Sequence, residues 1–175
     1  IMLVIQYLHN NKLILRDLKP NNIIVDQNKT VVVIDFDRMI EYEENISNEA
    51  RTSDFSSCYL APEVNTGHIS YGNDIYSLGQ LMYYIINQQK PKDKDEDRDN
   101  LFENHPKIHE MYEKCTNEDV DQRPSISNLI FDFLSVYSHI ITNSRCQNDP
   151  QSQVNFGNFY SANHDIEKAI HFYSL

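Results

Sequence analysis

The stretch Ile14–Ile24, ILRDLKPNNII, constrains this chain more than any other part of it. A short polar loop is set between two apolar runs, and it carries Asp17, Lys19 and Asn22 at offsets of two and five. These are a carboxylate able to accept the proton of an attacking hydroxyl, an ammonium able to neutralise a phosphate, and an amide oxygen able to ligate a metal. Phosphoryl transfer needs such a set. A second cluster follows at Val31–Asp37, VVVIDFD, with Asp35 directly after an apolar run, where a second metal ligand would sit. A third, Ala61-Pro62-Glu63, closes the segment.

Patterning places these blocks on elements. Ile1 to Lys12 reads as a helix with Ile1, Leu3 or Val4, Tyr7 and Leu8 on one apolar face. The β-branched run Val31–Ile34 predicts a short buried strand. Its hairpin partner is Ile23–Val25, across the polar turn Asp26-Gln27-Asn28-Lys29. Arg38 to Leu60 is polar and acidic, with Glu41, Glu43, Glu44, Glu49 and Asp54, and reads as a mobile loop. The span from Asp35 to Glu63 is about thirty residues, longer than the ~12–15 of an ordinary structural loop. Asp74–Asn87, with Ile75, Leu78, Leu81, Met82, Ile85 and Ile86, predicts a helix buried all round. The charge run Gln88–Asn100 reads as a solvated loop. Pro124–Ile141 predicts one amphipathic helix or a pair, and residues 142–148 a polar linker.

Composition removes several classes of function. The 175 residues carry a formal net charge of −11, which argues against nucleic acid or an anionic membrane as a partner, since both want basic patches. The first apolar run is too short to span a membrane and lacks signal-peptide flanks. Cys58, Cys115 and Cys146 have neither metal spacing nor even pairing, so reduced thiols and a cytoplasmic location are expected.

Taken together, the blocks resemble the C-terminal lobe of a eukaryotic protein kinase. LRDLKPNN is similar to the catalytic loop HRDLKxxN, DFD stands where DFG is expected, and APE is intact. DIYSLG at Asp74–Gly79 resembles the start of the long central helix of that lobe, and CTNEDVDQRPS at Cys115–Ser125 the segment before its last helices. The resemblance covers roughly residues 1–140 and gives the boundary 1–141 for this domain. It implies an α+β, mostly α fold with short β-hairpins. No glycine-rich loop and no strand Lys with a helical Glu partner are found, so the resemblance implies a fragment lacking the small N-terminal lobe and inactive alone.

The same resemblance implies roles. Asp17 would be the catalytic base, and Lys19 would contact the γ-phosphate of ATP. Asn22 and Asp35 would hold Mg²⁺, a hard ion suited to oxygen ligands. Lys19 followed by Pro20 resembles serine/threonine kinases, with protein substrates, and the CTNEDVDQRPS form resembles their tyrosine-kinase-like group. Arg16 would pair with a phosphate on the loop, where Thr52, Ser53, Ser56 and Ser57 are available. Ser56, five residues before Ala61, stands where the family bridges Asp17 and Lys19 with a Thr. Glu63 and Arg123 would form a buried ion pair. Asp74 would accept hydrogen bonds from catalytic-loop amides, or simply cap its helix.

Two positions depart from the family. Leu15 replaces a His that packs on the Phe of DFG, here Phe36, and can keep an apolar spine. Asp37 replaces a Gly that permits positive φ, at an expected cost of about 1 kcal/mol for an Asp. It also adds a negative charge near the metal. The alternative to an enzyme is therefore a pseudokinase scaffold; a third reading is a regulatory fragment that docks on an intact kinase. Residues 149–175 add a different element: NFGNFY followed by DIEKAIHFYSL is similar to one Sel-one-like tetratricopeptide unit, the start of an α-solenoid that would recruit protein partners.

Overall fold

A computed structural model describes residues 1–28, 30–43, 58–91 and 105–143, with side chains described as far as residue 136. The chain divides into two compact units, Ile1–Asp132 and Phe133–Leu175. The described elements make a mostly helical α+β fold with short antiparallel strands.

Helix α1 spans Met2–Asn10 and buries Ile5 and Leu8, with Ile1 and Val4 half-buried. Of the two alternatives Leu3 and Val4, Val4 takes the face and Leu3 is exposed; the expectation that Tyr7 shares it is corrected, because Tyr7 is exposed. Ile1, Ile5 and Leu8 recur at four and three residues and stack on one side, while Leu3 and Tyr7 fall roughly opposite. Lys12, at φ 57°, then turns the chain into strand β1, Leu13–Ile14.

Strands β2, Ile23–Val25, and β3, Val31–Val33, form the expected hairpin, in register Ile23↔Val33, Ile24↔Val32 and Val25↔Val31. Only Val33 is buried; Ile24, Val25, Val31 and Val32 are exposed. β-Branching selected the strand correctly but not its burial, which depends on what packs against each face.

The polar segment after Arg38 was expected to be irregular throughout. Instead Ile40–Glu41 forms strand β4, antiparallel to β1 with Leu13↔Glu41 and Ile14↔Ile40. A turn closed by Met39 N–H donating to Phe36 C=O (3.0 Å) brings it back, and Tyr42 N–H donates to Lys12 C=O (2.6 Å) beyond it. Most of the long loop, residues 44–57, and most of the charge run, residues 92–100, lie outside the described residues.

Helix α2 spans Tyr71–Asn87, three residues earlier at its start than the apolar pattern indicated. Ser70 is the N-cap, and its N–H donates to Asn73 Oδ1 (2.8 Å), one half of a capping box. From Asn73 to Leu81 the helix is buried except at Tyr76, but Ile85 is exposed, so burial is not all round. Helix α3, Pro106–Cys115, was not anticipated. Its signals are Pro106 in the first turn and the spacing of Ile108, Met111, Tyr112 and Cys115. Gly79 lets α3 approach α2 closely: a Cβ there would lie 2.7 Å from Cys115 Cβ.

Helix α4 is single, Ile126–Asn143, and runs two residues into the stretch read as linker. Its first turns bury Leu129 and Ile130, and Gln6 Nε2 of α1 donates to Ser127 Oγ (3.2 Å). The remaining linker and the repeat-like segment 149–175 lie outside the described residues.

Candidate active site

Between β1 and β2 the backbone makes a short 3₁₀ turn, Pro20–Asn22, with Pro20 in its first position and Lys19 extended before it. Pro20 fixes its own φ and disfavours helix at Lys19, so the sequence itself sets the bend. Asn22 N–H donates to Lys19 C=O (3.0 Å), which folds Asn22 back toward Asp17. The three candidate residues then converge. Lys19 Nζ lies 2.7 Å from Asp17 Oδ2. Asn22 Nδ2 donates to Asp17 C=O (2.9 Å) and to Asp17 Oδ2 (3.0 Å). These two bonds orient the Asn22 amide: its nitrogen faces Asp17, and Oδ1 is left without a hydrogen bond among the described residues.

Asp35 lies just past β3. Ile34 N–H donates to Asn22 C=O (2.9 Å), extending the hairpin ladder by one residue. The element carrying Asp35 is thereby tied to the residue carrying the amide oxygen. Asp35 is exposed, and no hydrogen bond or ion pair engages its carboxylate among the described residues. No three His, Cys, Asp or Glu side chains gather into a metal cage among the described residues. Asn22 Oδ1 and Asp35 are two hard oxygen donors on adjoining backbone, a set that fits Mg²⁺, which keeps waters and substrate oxygens as its other ligands.

Beneath the loop, Asp74 of α2 is fully buried and accepts three contacts. Leu15 N–H donates to Oδ2 (2.9 Å) and Arg16 N–H to Oδ1 (2.8 Å). His9 Nε2 is 3.0 Å from Oδ2, with its ring 4.7 Å from that of Tyr71. Such saturation is what permits a carboxylate in the core. With Ser70 as the cap, Asp74 is a clamp on the loop rather than an N-cap. The clamp holds Arg16 at φ 67°, the left-handed region that side chains disfavour. Burial lowers the Arg16 pKa from its ordinary value; the charge of Arg38 lowers it further, and Asp74 opposes both.

The expected positive φ at Asp37 is corrected. Among the described non-glycine residues, only Lys12, Arg16, Asp35 and Gln88 have positive φ. Asp37 sits inside the Phe36–Met39 turn, where type I geometry asks for negative φ at both central positions. The left-handed residue is Asp35, at φ 65°. Leu15 is buried as expected, but Phe36, its expected partner, is exposed.

Glu63 and Arg123 form the expected pair, with Nη1 to Oε1 at 2.6 Å and Nη2 to Oε2 at 2.9 Å. Arg123 also donates to Gly72 C=O (3.0 Å) and Asn117 C=O (2.9 Å) and lies 5.0 Å from the centroid of the Tyr76 ring. Asn73 Nδ2 donates to Glu63 Oε1 (2.6 Å), joining the pair to the α2 cap. Ser77 Oγ donates to Tyr59 C=O (2.7 Å), fastening the end of the long loop to the same helix. Thr52, Ser53, Ser56 and Ser57 lie outside the described residues.

Sequence reasoning missed His9, Asn73 and Arg38. His9 and Asn73 are ordinary helix residues in the sequence, and only the packing of α1 against α2 gives His9 its partner. Arg38 follows the DFD block but carries no motif of its own; its Nε lies 3.9 Å from Asp17 Oδ2.

Residues 1–155 match the profile of the protein kinase domain. Human protein kinase C delta type is 37% identical over 106 residues, which is 59% of this chain and 15% of that protein. A putative serine/threonine-protein kinase of Acanthamoeba polyphaga mimivirus is 30% identical over 140 residues, 71% of this chain and 50% of that protein. A probable serine/threonine-protein kinase of Dictyostelium discoideum is 30% identical over 138 residues, 71% of this chain and 32% of that protein. The chain thus spans half or less of the length of these relatives. With the profile covering most of its residues and the loop, clamp and ion pair in place, this chain belongs to the protein kinase family.

Proposed function

We propose that the chain supplies the catalytic loop and metal-holding residues of a protein serine/threonine kinase, which moves the γ-phosphoryl of ATP to Ser or Thr hydroxyls of protein substrates. The observation that carries this reading is the convergence of Lys19 and Asn22 on Asp17 Oδ2, which leaves Asp17 Oδ1 for a substrate hydroxyl. Asp17 would orient that hydroxyl and take its proton. Lys19 would neutralise charge on the transferring phosphate. Asn22 Oδ1 and Asp35 would hold Mg²⁺, and bound Mg²⁺ supplies electrostatic stabilisation of the phosphate oxygens. The Lys19-Pro20 sequence and the names of the relatives support the serine/threonine assignment.

The segment 149–175 would act as a Sel-one-like unit that recruits partner proteins, in a cytoplasmic enzyme; its aromatic and small-residue pattern supports this. The pseudokinase alternative drew on Asp37, and the negative φ there removes the backbone argument for it. Among the described residues no helix is long and apolar enough to cross a membrane.

The test is phosphorylation of a peptide by the full-length protein. Asp17→Asn keeps shape but removes the proton acceptor, and is expected to lower kcat by roughly 10²–10⁴. Asp35→Asn tolerates the left-handed backbone and is expected to abolish Mg²⁺-dependent turnover. Wild-type rates in both variants would refute the enzyme reading in favour of a scaffold.

A further inference from the structure

We propose that Arg38 is a positioning residue for Asp17: its guanidinium takes over Asp17 Oδ2 when Lys19 turns toward a phosphate. The inference rests on the kinase reading above and deepens it. Lys19 Nζ is 2.7 Å from Asp17 Oδ2, yet the same ammonium is the group that would neutralise the phosphate. A phosphate carries more negative charge than a carboxylate, and a lysine ammonium is a mobile point charge on a flexible stem. Once Lys19 leaves, the one hydrogen bond that Asp17 Oδ2 keeps among the described residues is from the neutral amide of Asn22, at 3.0 Å. A carboxylate held by one neutral donor can rotate and lose the alignment of Oδ1.

Arg38 is placed to prevent that rotation. Its Nε is 3.9 Å from the same oxygen, about 1 Å beyond an ordinary N–H···O distance, so a small side-chain adjustment completes the bond. Its backbone is fixed by the Phe36–Met39 turn on one side and by the pairing of β4 with β1 on the other. A guanidinium is a preorganised planar fork and stays charged, properties that suit a fixed counter-ion better than a second lysine would. Arg16 lies close enough to feel the charge of Arg38, while the Arg16 backbone is clamped to Asp74. Two cations therefore serve one carboxylate oxygen in turn.

The test uses the full-length protein labelled with ¹⁵N-arginine, the Arg38 Nε–H resonance being assigned by its loss in Arg38→Lys. On adding a non-hydrolysable ATP analogue with Mg²⁺, this resonance should move downfield and exchange more slowly with water, and it should do neither in Asp17→Asn. In peptide phosphorylation, Arg38→Gln should lower kcat roughly 10-fold, within the ~10²-fold that a 1 Å misplacement can cost, with the KM for ATP unchanged. Arg38→Lys should restore part of that loss. An unmoved resonance in nucleotide-bound wild type, or wild-type kcat in Arg38→Gln, overturns the inference while leaving the kinase reading intact. Failure of the analogue to bind wild type, or full activity in Asp17→Asn, overturns the kinase reading and this inference with it.

Discussion

Breaking the Glu63–Arg123 pair should be among the most damaging changes possible in this domain, and the pair's geometry says by how much. The Arg123 side chain is 1% exposed and that of Glu63 is 15% exposed. Removing one partner of a buried pair costs about 3–5 kcal/mol because the other charge is left uncompensated. Glu63→Gln leaves a guanidinium sealed from water with neutral acceptors only, the Gln oxygen and the Gly72 and Asn117 carbonyls, and no counter-charge, and should fall in the upper part of that range. Arg123→Met leaves a carboxylate that still accepts from Asn73 and can reach water or a proton, and should fall in the lower part. The double variant leaves no orphaned charge, so a double-mutant cycle should show a coupling of about 3 kcal/mol. Urea unfolding of the four proteins, followed by circular dichroism, measures it. Costs that add to within ~0.5 kcal/mol would refute the reasoning and make this an ordinary surface contact. The pair also carries a pH signature. Burial pushes the Glu63 pKa up, but hydrogen bonds from Arg123 and Asn73 outweigh it and hold the pKa below the ordinary glutamate value. Its stabilisation is therefore complete above the ordinary value and lost as pH falls through the depressed one. Arg123→Met should flatten that acid limb.

Three further outcomes are expected. Asp74→Asn offers one acceptor oxygen where the carboxylate offers two, so an amide of Leu15 or Arg16 is orphaned; the loss should be about 1–3 kcal/mol in urea unfolding, and an unchanged midpoint would show that the clamp is not needed. Asp37→Gly relieves no strain, since Asp37 is not at positive φ; it should destabilise by about 0.4–1 kcal/mol through the unfolded state without raising the phosphorylation rate, and a faster variant would contradict the turn geometry. Burial pushes the Cys115 thiol up to about 12; mass spectrometry after alkylation at pH 8 should find Cys115 unmodified in the folded protein and modified in urea, while the partly exposed Cys58 reacts first.

Much of the site could be read from the sequence because its residues are local. Asp17, Lys19 and Asn22 share one turn, and Pro20 writes that turn into the chain. The β2–β3 hairpin was legible for the same reason. Long-range partners were legible only where a family motif marked both ends, as with Glu63 and Arg123. His9 had no such mark, and neither did Asn73 or Arg38. Burial was read less well than element type: β-branching at Val31 and Val32 gives a strand whether or not anything covers it. At α1 the apolar residues outnumber the buried face, and the 3.6-residue period alone cannot choose between Ile5 and Tyr7 when both are apolar.

The backbone strain near the metal ligands is the clearest case of a signal that sequence places wrongly. A family pattern that ends in Gly suggests that strain belongs to the third residue of DFD. In the fold it belongs to the first, Asp35, and to Arg16, both near φ 65°. Neither is a glycine, and each must be held there by something outside itself. For Arg16 the holder is Asp74, which is why a buried carboxylate on α2 accepts two successive loop amides. For Asp35 it is the hairpin ladder, which Ile34 N–H extends to the Asn22 carbonyl immediately before the left-handed residue. The two strained residues bracket the catalytic turn, one on each side, and their restraints come from rigid elements, the Asp74 carboxylate on α2 for one and the β2–β3 backbone ladder for the other. A Gly at position 37 is therefore not required to present Asp35. The geometry places the requirement on Asp74 and on the register of β2 with β3, so a change that shifts that register should disturb the metal site more than any substitution at Asp37.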